Sequence, residues 1–154
     1  MTGKAEVHRL RQMLDATFKR AATLPSDPEI QSDFARYLCI LVSGFIEQAV
    51  AELIMEHARN HAAPTIQRFV EFRIQQLTNV KTQRLQEVLG TLNPEWRQDL
   101  EQFVVDEKKD ALDSIVSLRN RISHGHSVGV TFARIQKYYE EVKLVVDRVA
   151  TLCT

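Results

Sequence analysis

The stretch from Pro28 to about Asn60 constrains the fold more than any other part of the sequence. Between Phe34 and Met55, 16 of 22 residues are apolar, and at helical spacing they fall on every side of the helix. Asp27 followed by Pro28 is a typical helix start, and at 1.5 Å per residue the helix is roughly 50 Å long. A helix that is apolar on all sides is buried in a bundle or shared between subunits. We therefore expect the spine of a helical bundle that also forms part of a homodimer interface, the alternative being the central helix of a monomer.

Two residues are unusual within this predicted helix. Gly44 lies in its middle, where glycine costs about 1 kcal/mol relative to alanine, and the close approach of another backbone would explain it. Glu47 is a carboxylate on the same apolar helix and needs a cation nearby. We predict Arg119 as that cation, with Arg36 and Arg59 as competitors and simple exposure of the carboxylate as the alternative.

Apolar residues at helical spacing predict six further helices in the rest of the chain. Proline or N-cap residues mark several starts, at Pro64, at Asn93-Pro94 and at Thr131. We expect Gly90 to end the fourth helix and Gly125 to end the sixth, because glycine commonly follows the last helical turn. No strand alternation persists for more than a few residues. Residues 1–154 are therefore predicted to form one all-α domain.

Composition limits the classes of function. The net charge is zero, so nucleic-acid binding would have to come from a local patch. Two cysteines give no disulfide framework, no segment resembles a targeting signal, and the longest uninterrupted apolar run, Tyr37–Val42, is too short to cross a bilayer. His57 and His61 are spaced i, i+4 but have no evident third ligand, so no metal site is expected. We predict a cytoplasmic protein without membrane association.

The segment around residues 112–125 departs from a plain helical pattern. Leu112, Val116 and Arg119 are spaced i, i+4 and i+7, so the guanidinium continues an apolar stripe. His124 follows five residues later, and in a straight helix the two side chains would point about 140° apart. They converge only if the helix ends between them, which Gly125 indicates. From residue 114 to residue 139 there is no Asp or Glu, while four Arg or Lys residues occur. A solvated helix C-terminus carrying cations that complement the helix dipole is the plainer interpretation.

These residues resemble a known superfamily. Arg119-Asn120, three further residues and His124, followed by glycine at the end of a late helix, resemble the HEPN superfamily and within it the RiboL-PSP-type branch. Ser43-Gly44-Phe45-Ile46-Glu47 resembles the small-residue-plus-Glu signature on the long helix of that branch. The resemblance implies a HEPN-like bundle with a four-helix core plus additional short helices. It also implies metal-independent cleavage of single-stranded RNA that leaves a cyclic phosphate, without a cofactor.

The chemistry fits those residue types. Histidine moves protons near neutral pH, and a fixed guanidinium can hold two phosphate oxygens. We therefore assign catalysis to Arg119, Asn120 and His124, with Asn120 either orienting the imidazole or donating to the phosphate. Glu47 has a supporting role. The basic residues expected to grip the RNA backbone are Arg121, His126, Arg134 and Lys137.

The resemblance also implies partners. In the family two motifs usually meet across a two-fold axis, which supplies a second imidazole, and a toxin or defence effector of this kind has a cognate antitoxin or other regulatory protein. Tyr138 or Tyr139 would stack on a base, although core packing is favoured by their helical spacing. Two other functions stay open: a non-catalytic HEPN-like module that binds RNA, a nucleotide or a protein, and a helical dimerisation domain whose basic end is incidental.

Overall fold

The structure, a computed structural model, describes residues 2–154. Seven helices and no strand occur in that range, which confirms the all-α prediction. The helices are α1 (Gly3–Ala21), α2 (Pro28–His61), α3 (Pro64–Ile74), α4 (Thr82–Leu92), α5 (Pro94–Phe103), α6 (Asp106–Ser123) and α7 (Phe132–Leu152).

The predicted N-terminal signals start three of these helices. The side chains of Asp27, Asn93 and Thr131 each accept a hydrogen bond from a backbone N–H two or three residues later. Such caps satisfy N–H groups that have no partner inside the helix. The starts of α2, α5 and α7 are therefore encoded by residues adjacent in sequence.

The predicted end of α4 at Gly90 is wrong, because α4 continues through this glycine to Leu92. A Cβ atom at Gly90 would lie 2.9 Å from the Cβ of Arg97 on α5. The glycine therefore serves the close packing of two short helices rather than helix termination. The chain turns two residues later, where Asn93 and Pro94 begin α5.

The long helix α2 is the centre of the bundle and contacts α1, α3, α6 and α7. Its packing against α6 brings the Cys39 thiol to 3.6 Å from the carbonyl oxygen of Ile115. At the other end, the ring of His57 lies 3.2 Å from the carbonyl oxygen of Cys153, which follows α7. Arg36, near the start of α2, also contacts the carbonyl oxygen of Val128 in the loop between α6 and α7. Together these contacts show that α6 runs antiparallel to α2 while α7 runs parallel to it. Helices α1, α2, α6 and α7 form the core, and α3, α4 and α5 are the additional short helices, as predicted.

One side of α2 is not covered within the protomer. Its exposed residues include Tyr37 and Ile40, which with Met13 of α1 line a shallow groove of about 670 Å³. Gly44 lies in the same groove, and a Cβ atom there would meet nothing within 4 Å. No backbone of the described protomer therefore explains this glycine.

Helix α2 is more apolar over its length than its longest uninterrupted apolar run, Tyr37–Val42, indicates. The helix contains an 18-residue window long and apolar enough to cross a bilayer, and 56% of that window is buried inside the protein. A central core helix passes the same test, and contacts with four other helices account for much of this apolar surface.

Helix α3 is the most exposed helix and has no buried residue. The side chains of Phe69 and Phe72 are 61% and 58% exposed, and Ile66 is similarly open to solvent. Exposed apolar residues that form a contiguous patch often mark a contact surface. This apolar face of α3, formed by Ile66, Phe69 and Phe72, is thus a candidate contact surface.

Candidate functional site

The candidate site is built on the last turn of α6. The helix ends in a Schellman motif, in which the N–H of Gly125 donates to the carbonyl of Ile122 and the N–H of His126 donates to the carbonyl of Arg121. Gly125 has a φ of +76°, the left-handed conformation that this motif requires and that glycine adopts without strain. The predicted stop at Gly125 is therefore confirmed, and it fixes the direction of the chain after His124.

Arg119 lies on the stripe predicted from its spacing. Leu112 and Val116 are buried, and Arg119 one turn later is half-buried. Its Nη1 donates a 3.2 Å hydrogen bond to Oδ1 of Asn120. Across residues 2–154, no carboxylate comes within 4 Å of this guanidinium. Its charge is therefore not neutralised by a carboxylate contact within the protomer.

His124 is exposed, and its side chain makes no hydrogen bond to the described residues. Oδ1 of Asn120 accepts from Arg119, and among residues 2–154 the Asn120 side chain makes no hydrogen bond to the His124 side chain, so no contact supports the orienting role predicted for Asn120. The Asn120 amide N–H groups stay available for an acceptor such as phosphate. Arg121 and His126 are also exposed at this end of α6 and its loop.

The predicted ion pair between Glu47 and Arg119 is wrong. Glu47 accepts a hydrogen bond from the backbone N–H of Asn79 at 3.3 Å and so holds the chain before α4. Cys39 and Ile115 lie side by side on antiparallel helices. Glu47 is eight residues beyond Cys39, and Arg119 is four residues beyond Ile115 in the opposite direction, so the two lie about 18 Å apart along the bundle.

Arg36 is the residue of α2 that contacts the loop between α6 and α7. Its Nη1 donates to Oγ of Ser32 at 2.9 Å and to the carbonyl oxygen of Val128 at 3.3 Å, and its guanidinium pairs with Asp33. Val128 is buried. Sequence reasoning considered Arg36 only as a partner for Glu47. The signal that it missed was the i, i+4 spacing of Ser32 and Arg36, which places them on one face at the start of α2.

Arg134 and Lys137 are placed in a different environment from Arg119. They line a groove of about 360 Å³ together with Glu107, Asp110 and Glu141. Asp110 precedes Arg119 by nine residues on the same helix, which corresponds to about 13 Å. Residues 114–139 contain no Asp or Glu. In the folded protein, however, carboxylates of residues before and after this segment lie beside Arg134 and Lys137.

Both tyrosines of α7 are buried, as the core-packing alternative predicts. Tyr139 stacks on Phe18 with 4.6 Å between ring centroids, and its hydroxyl donates to Asp15 at 2.6 Å. Burial, together with this hydrogen bond, raises the pKa of Tyr139. Tyr138 accepts a 3.1 Å hydrogen bond from Arg134, and this contact raises the pKa of the guanidinium.

The histidine pair on α2 has no further ligand beside it. The rings of His57 and His61 stack 4.2 Å apart, and each Nδ1 faces a backbone carbonyl oxygen. The part of the chain that the structure describes contains no group of three or more His, Cys, Asp or Glu side chains arranged for a metal ion.

Comparison with known proteins gives one match. A family model described as RiboL-PSP-HEPN matches residues 7–154. No curated protein and no solved structure matches the chain. The match spans all seven helices apart from the first turn of α1, and it includes the Arg119-Asn120 pair and His124.

Proposed function

Because the chain belongs to the RiboL-PSP-HEPN family, a branch of a superfamily of nuclease and RNA-related modules, we propose that it is a metal-independent endoribonuclease acting on single-stranded RNA. The observation that carries this proposal is the half-buried Arg119 guanidinium, which has no carboxylate partner in the described protomer and is held by Asn120 at the end of α6. A buried or half-buried charge without a counterion is costly unless an anion completes the site. A phosphodiester is such an anion.

The reaction needs two proton transfers. The RNA 2′-hydroxyl attacks the adjacent phosphorus while an imidazole takes its proton, and the P–O bond to the next nucleoside breaks as its 5′-oxygen gains a proton. The products are a 2′,3′-cyclic phosphate and a 5′-hydroxyl. Arg119 stabilises the charge that develops on the phosphate oxygens. His124 serves as one proton carrier.

A second imidazole would come from a second copy of the chain, and α2 has the surface for this contact. Tyr37, Ile40 and Met13 are exposed, and Gly44 permits a close helix crossing. Arg119 lies level with about residue 35 of α2. A two-fold axis perpendicular to α2 at Gly44 would place the two motifs about 27 Å apart, too far for both to act on one phosphate. We therefore propose that the two copies of α2 pack side by side in the same direction.

The test of catalysis compares two motif variants with a matched control. His124→Ala and Arg119→Ala should each lower cleavage of a single-stranded RNA about 10²-fold or more in buffer with EDTA, with unchanged helicity. His61→Ala, which removes an exposed histidine at the opposite end of α2, should retain activity. Full activity in both motif variants would refute the proposal.

The test of the dimer uses one new cysteine. Ile30 lies at the motif end of α2, fourteen residues before Gly44, and the native thiols are buried. In the same-direction dimer the two Ile30→Cys thiols should lie at the same level of the paired helices and be joined by a short bismaleimide cross-linker. In a dimer crossing antiparallel at Gly44 the two positions would be about 42 Å apart, so absence of the cross-link in a dimeric protein refutes the proposed packing.

A second function, docking of a protein partner without RNA cleavage, is favoured by the apolar face of α3. Phe69 and Phe72 are exposed between two exposed arginines, Arg68 and Arg73, on the helix surface. This combination fits an amphipathic helix with acidic residues at its edges, such as a regulatory protein provides. Docking is the function if the effect of the protein on its host cell survives Arg119→Ala but is lost in Phe72→Glu. Loss of that effect in Arg119→Ala, with retention in Phe72→Glu, favours the nuclease.

A further inference from the structure

The loop that follows the motif is fixed at two points. Residues 124–131 connect α6 to α7, and within this loop Val128 and Val130 are buried while the residues before Val128 are exposed. The Schellman motif fixes the start of the loop at Gly125. Arg36 fixes its middle, through the hydrogen bond to the carbonyl oxygen of Val128.

We infer that Arg36 is a positioning residue for the motif, which holds the loop against α2 and thereby fixes the direction that His124 and His126 face. The inference rests on the proposed function. His124 is separated from the anchored carbonyl of Val128 by only three residues, so a displacement of Val128 is transmitted to the helix end. Because Arg36 is on α2, which packs against four other helices, the hydrogen bond holds the loop to the centre of the bundle.

The contacts of Arg36 favour positioning over phosphate binding. Its guanidinium donates to Ser32, pairs with Asp33 and donates to Val128. A guanidinium has five N–H donors in a fixed plane, and three partners already orient it. The Asp33 carboxylate also offsets its charge. Arg119, in contrast, has an asparagine as its hydrogen-bond partner and no carboxylate contact among the described residues.

The experiment compares Arg36→Gln with Arg11→Gln in the full-length protein. Arg11 makes the same kind of contact elsewhere, since it donates to the carbonyl of Lys143 at 3.4 Å and pairs with Asp147, far from the motif. Both substitutions remove a charge, an ion pair and a hydrogen bond from a helix to a backbone carbonyl. The two variants should therefore decrease in thermal stability to a similar degree, which makes Arg11→Gln a control for nonspecific destabilisation.

Three measurements are expected to distinguish Arg36→Gln from Arg11→Gln. Hydrogen exchange of the Gly125 and His126 amides, which donate within the Schellman motif, should become about 10-fold faster in Arg36→Gln and stay unchanged in Arg11→Gln. The imidazole resonances of His124 should shift only in Arg36→Gln. Cleavage by Arg36→Gln should show a kcat lowered about 10-fold with little change in KM, because a misplaced catalytic group slows the chemical step without weakening substrate binding. Arg36→Lys, which keeps a cation and a donor, should recover part of the activity.

Two results would overturn the inference. Unchanged exchange of the Gly125 and His126 amides in Arg36→Gln would show that the hydrogen bond to Val128 does not order the loop. A raised KM with unchanged kcat would show that Arg36 contacts the substrate instead. If the wild type cleaves no RNA, the proposed nuclease function fails, but the exchange and resonance measurements still decide the role of Arg36. If Arg36→Gln does not fold, Arg36→Lys against Arg11→Lys supplies the same comparison.

Discussion

Replacing Gly44 by alanine tests two conclusions at once. In the protomer a Cβ atom at this position would meet nothing within 4 Å. Alanine is favoured over glycine in a helix interior by about 1 kcal/mol. The isolated protomer should therefore gain about 1 kcal/mol of unfolding free energy, equivalent to a rise in Tm of roughly 2–4 °C for a chain of this size.

In the proposed dimer the same substitution should weaken association, although it stabilises the isolated protomer. If two copies of α2 cross closely at Gly44, a methyl group on each chain must be accommodated at the contact, which typically costs about 1–3 kcal/mol. Every 1.4 kcal/mol changes a Kd about tenfold. Gly44→Ala should thus weaken the dimer about 5-fold to 140-fold, measured by sedimentation equilibrium. Urea unfolding at a concentration that keeps the protein monomeric reports the gain in stability.

Gly90→Ala is the matched control, because this glycine is also inside a helix and its replacement carries the same gain in helix propensity. A Cβ atom at Gly90 would lie 2.9 Å from the Cβ of Arg97, closer than such atoms approach without displacement. Gly90→Ala should therefore destabilise the protomer and leave its association unchanged. A destabilised monomer of Gly44→Ala would refute the open packing around Gly44, and an unchanged or tighter dimer would refute an interface at this position.

Local geometry leads to three further predictions. Gly125→Ala should cost about 1 kcal/mol in urea unfolding, because Cβ meets no atom within 4 Å but alanine is strained at a φ of +76°; an unchanged midpoint would contradict this. Arg148 lowers the pKa of Asp99, so their pair contributes fully above the unfolded-state pKa of about 3.9, and the contribution disappears as pH falls through the lower folded-state pKa. Asp99→Asn should accordingly destabilise the protein by at most about 1 kcal/mol at pH 7 and have progressively less effect as the solution is acidified below that range, as thermal unfolding would show. Burial raises the pKa of Cys39 and of Cys153 to about 12, so neither thiol should react with Ellman's reagent at pH 8 unless the protein unfolds.

The sequence predicted the helices well because their ends are encoded locally. Asp27, Asn93 and Thr131 cap their helices through their own side chains, and Gly125 ends α6 through its own backbone conformation. Gly90 was misinterpreted because glycine has two uses in a helix. It ends a helix, or it lets a neighbour approach, and only the position of the neighbouring helix distinguishes these uses.

The site was predicted less completely than the fold. Helical periodicity assigns a residue to a face, but it does not give the register between two helices. Glu47 and Arg119 were each recognised as a charge on an apolar helix, and only the alignment of Cys39 with Ile115 shows that they are about 18 Å apart along the bundle. The acidic groove around Arg134 was missed for the same reason, since its carboxylates come from residues outside the acid-free segment.

The Schellman motif at the end of α6 has a consequence for how this protein can recognise an anion. The three amides of His124, Gly125 and His126 already donate to carbonyls of their own helix, and this end of a helix carries the negative pole of its dipole. Unlike a glycine-rich loop ahead of a helix, this turn offers phosphate no ring of peptide donors. Recognition of an anion there would then depend on side-chain donors, so exchanging Arg119 for its uncharged isostere citrulline should remove a contact that no main-chain group of this turn can replace.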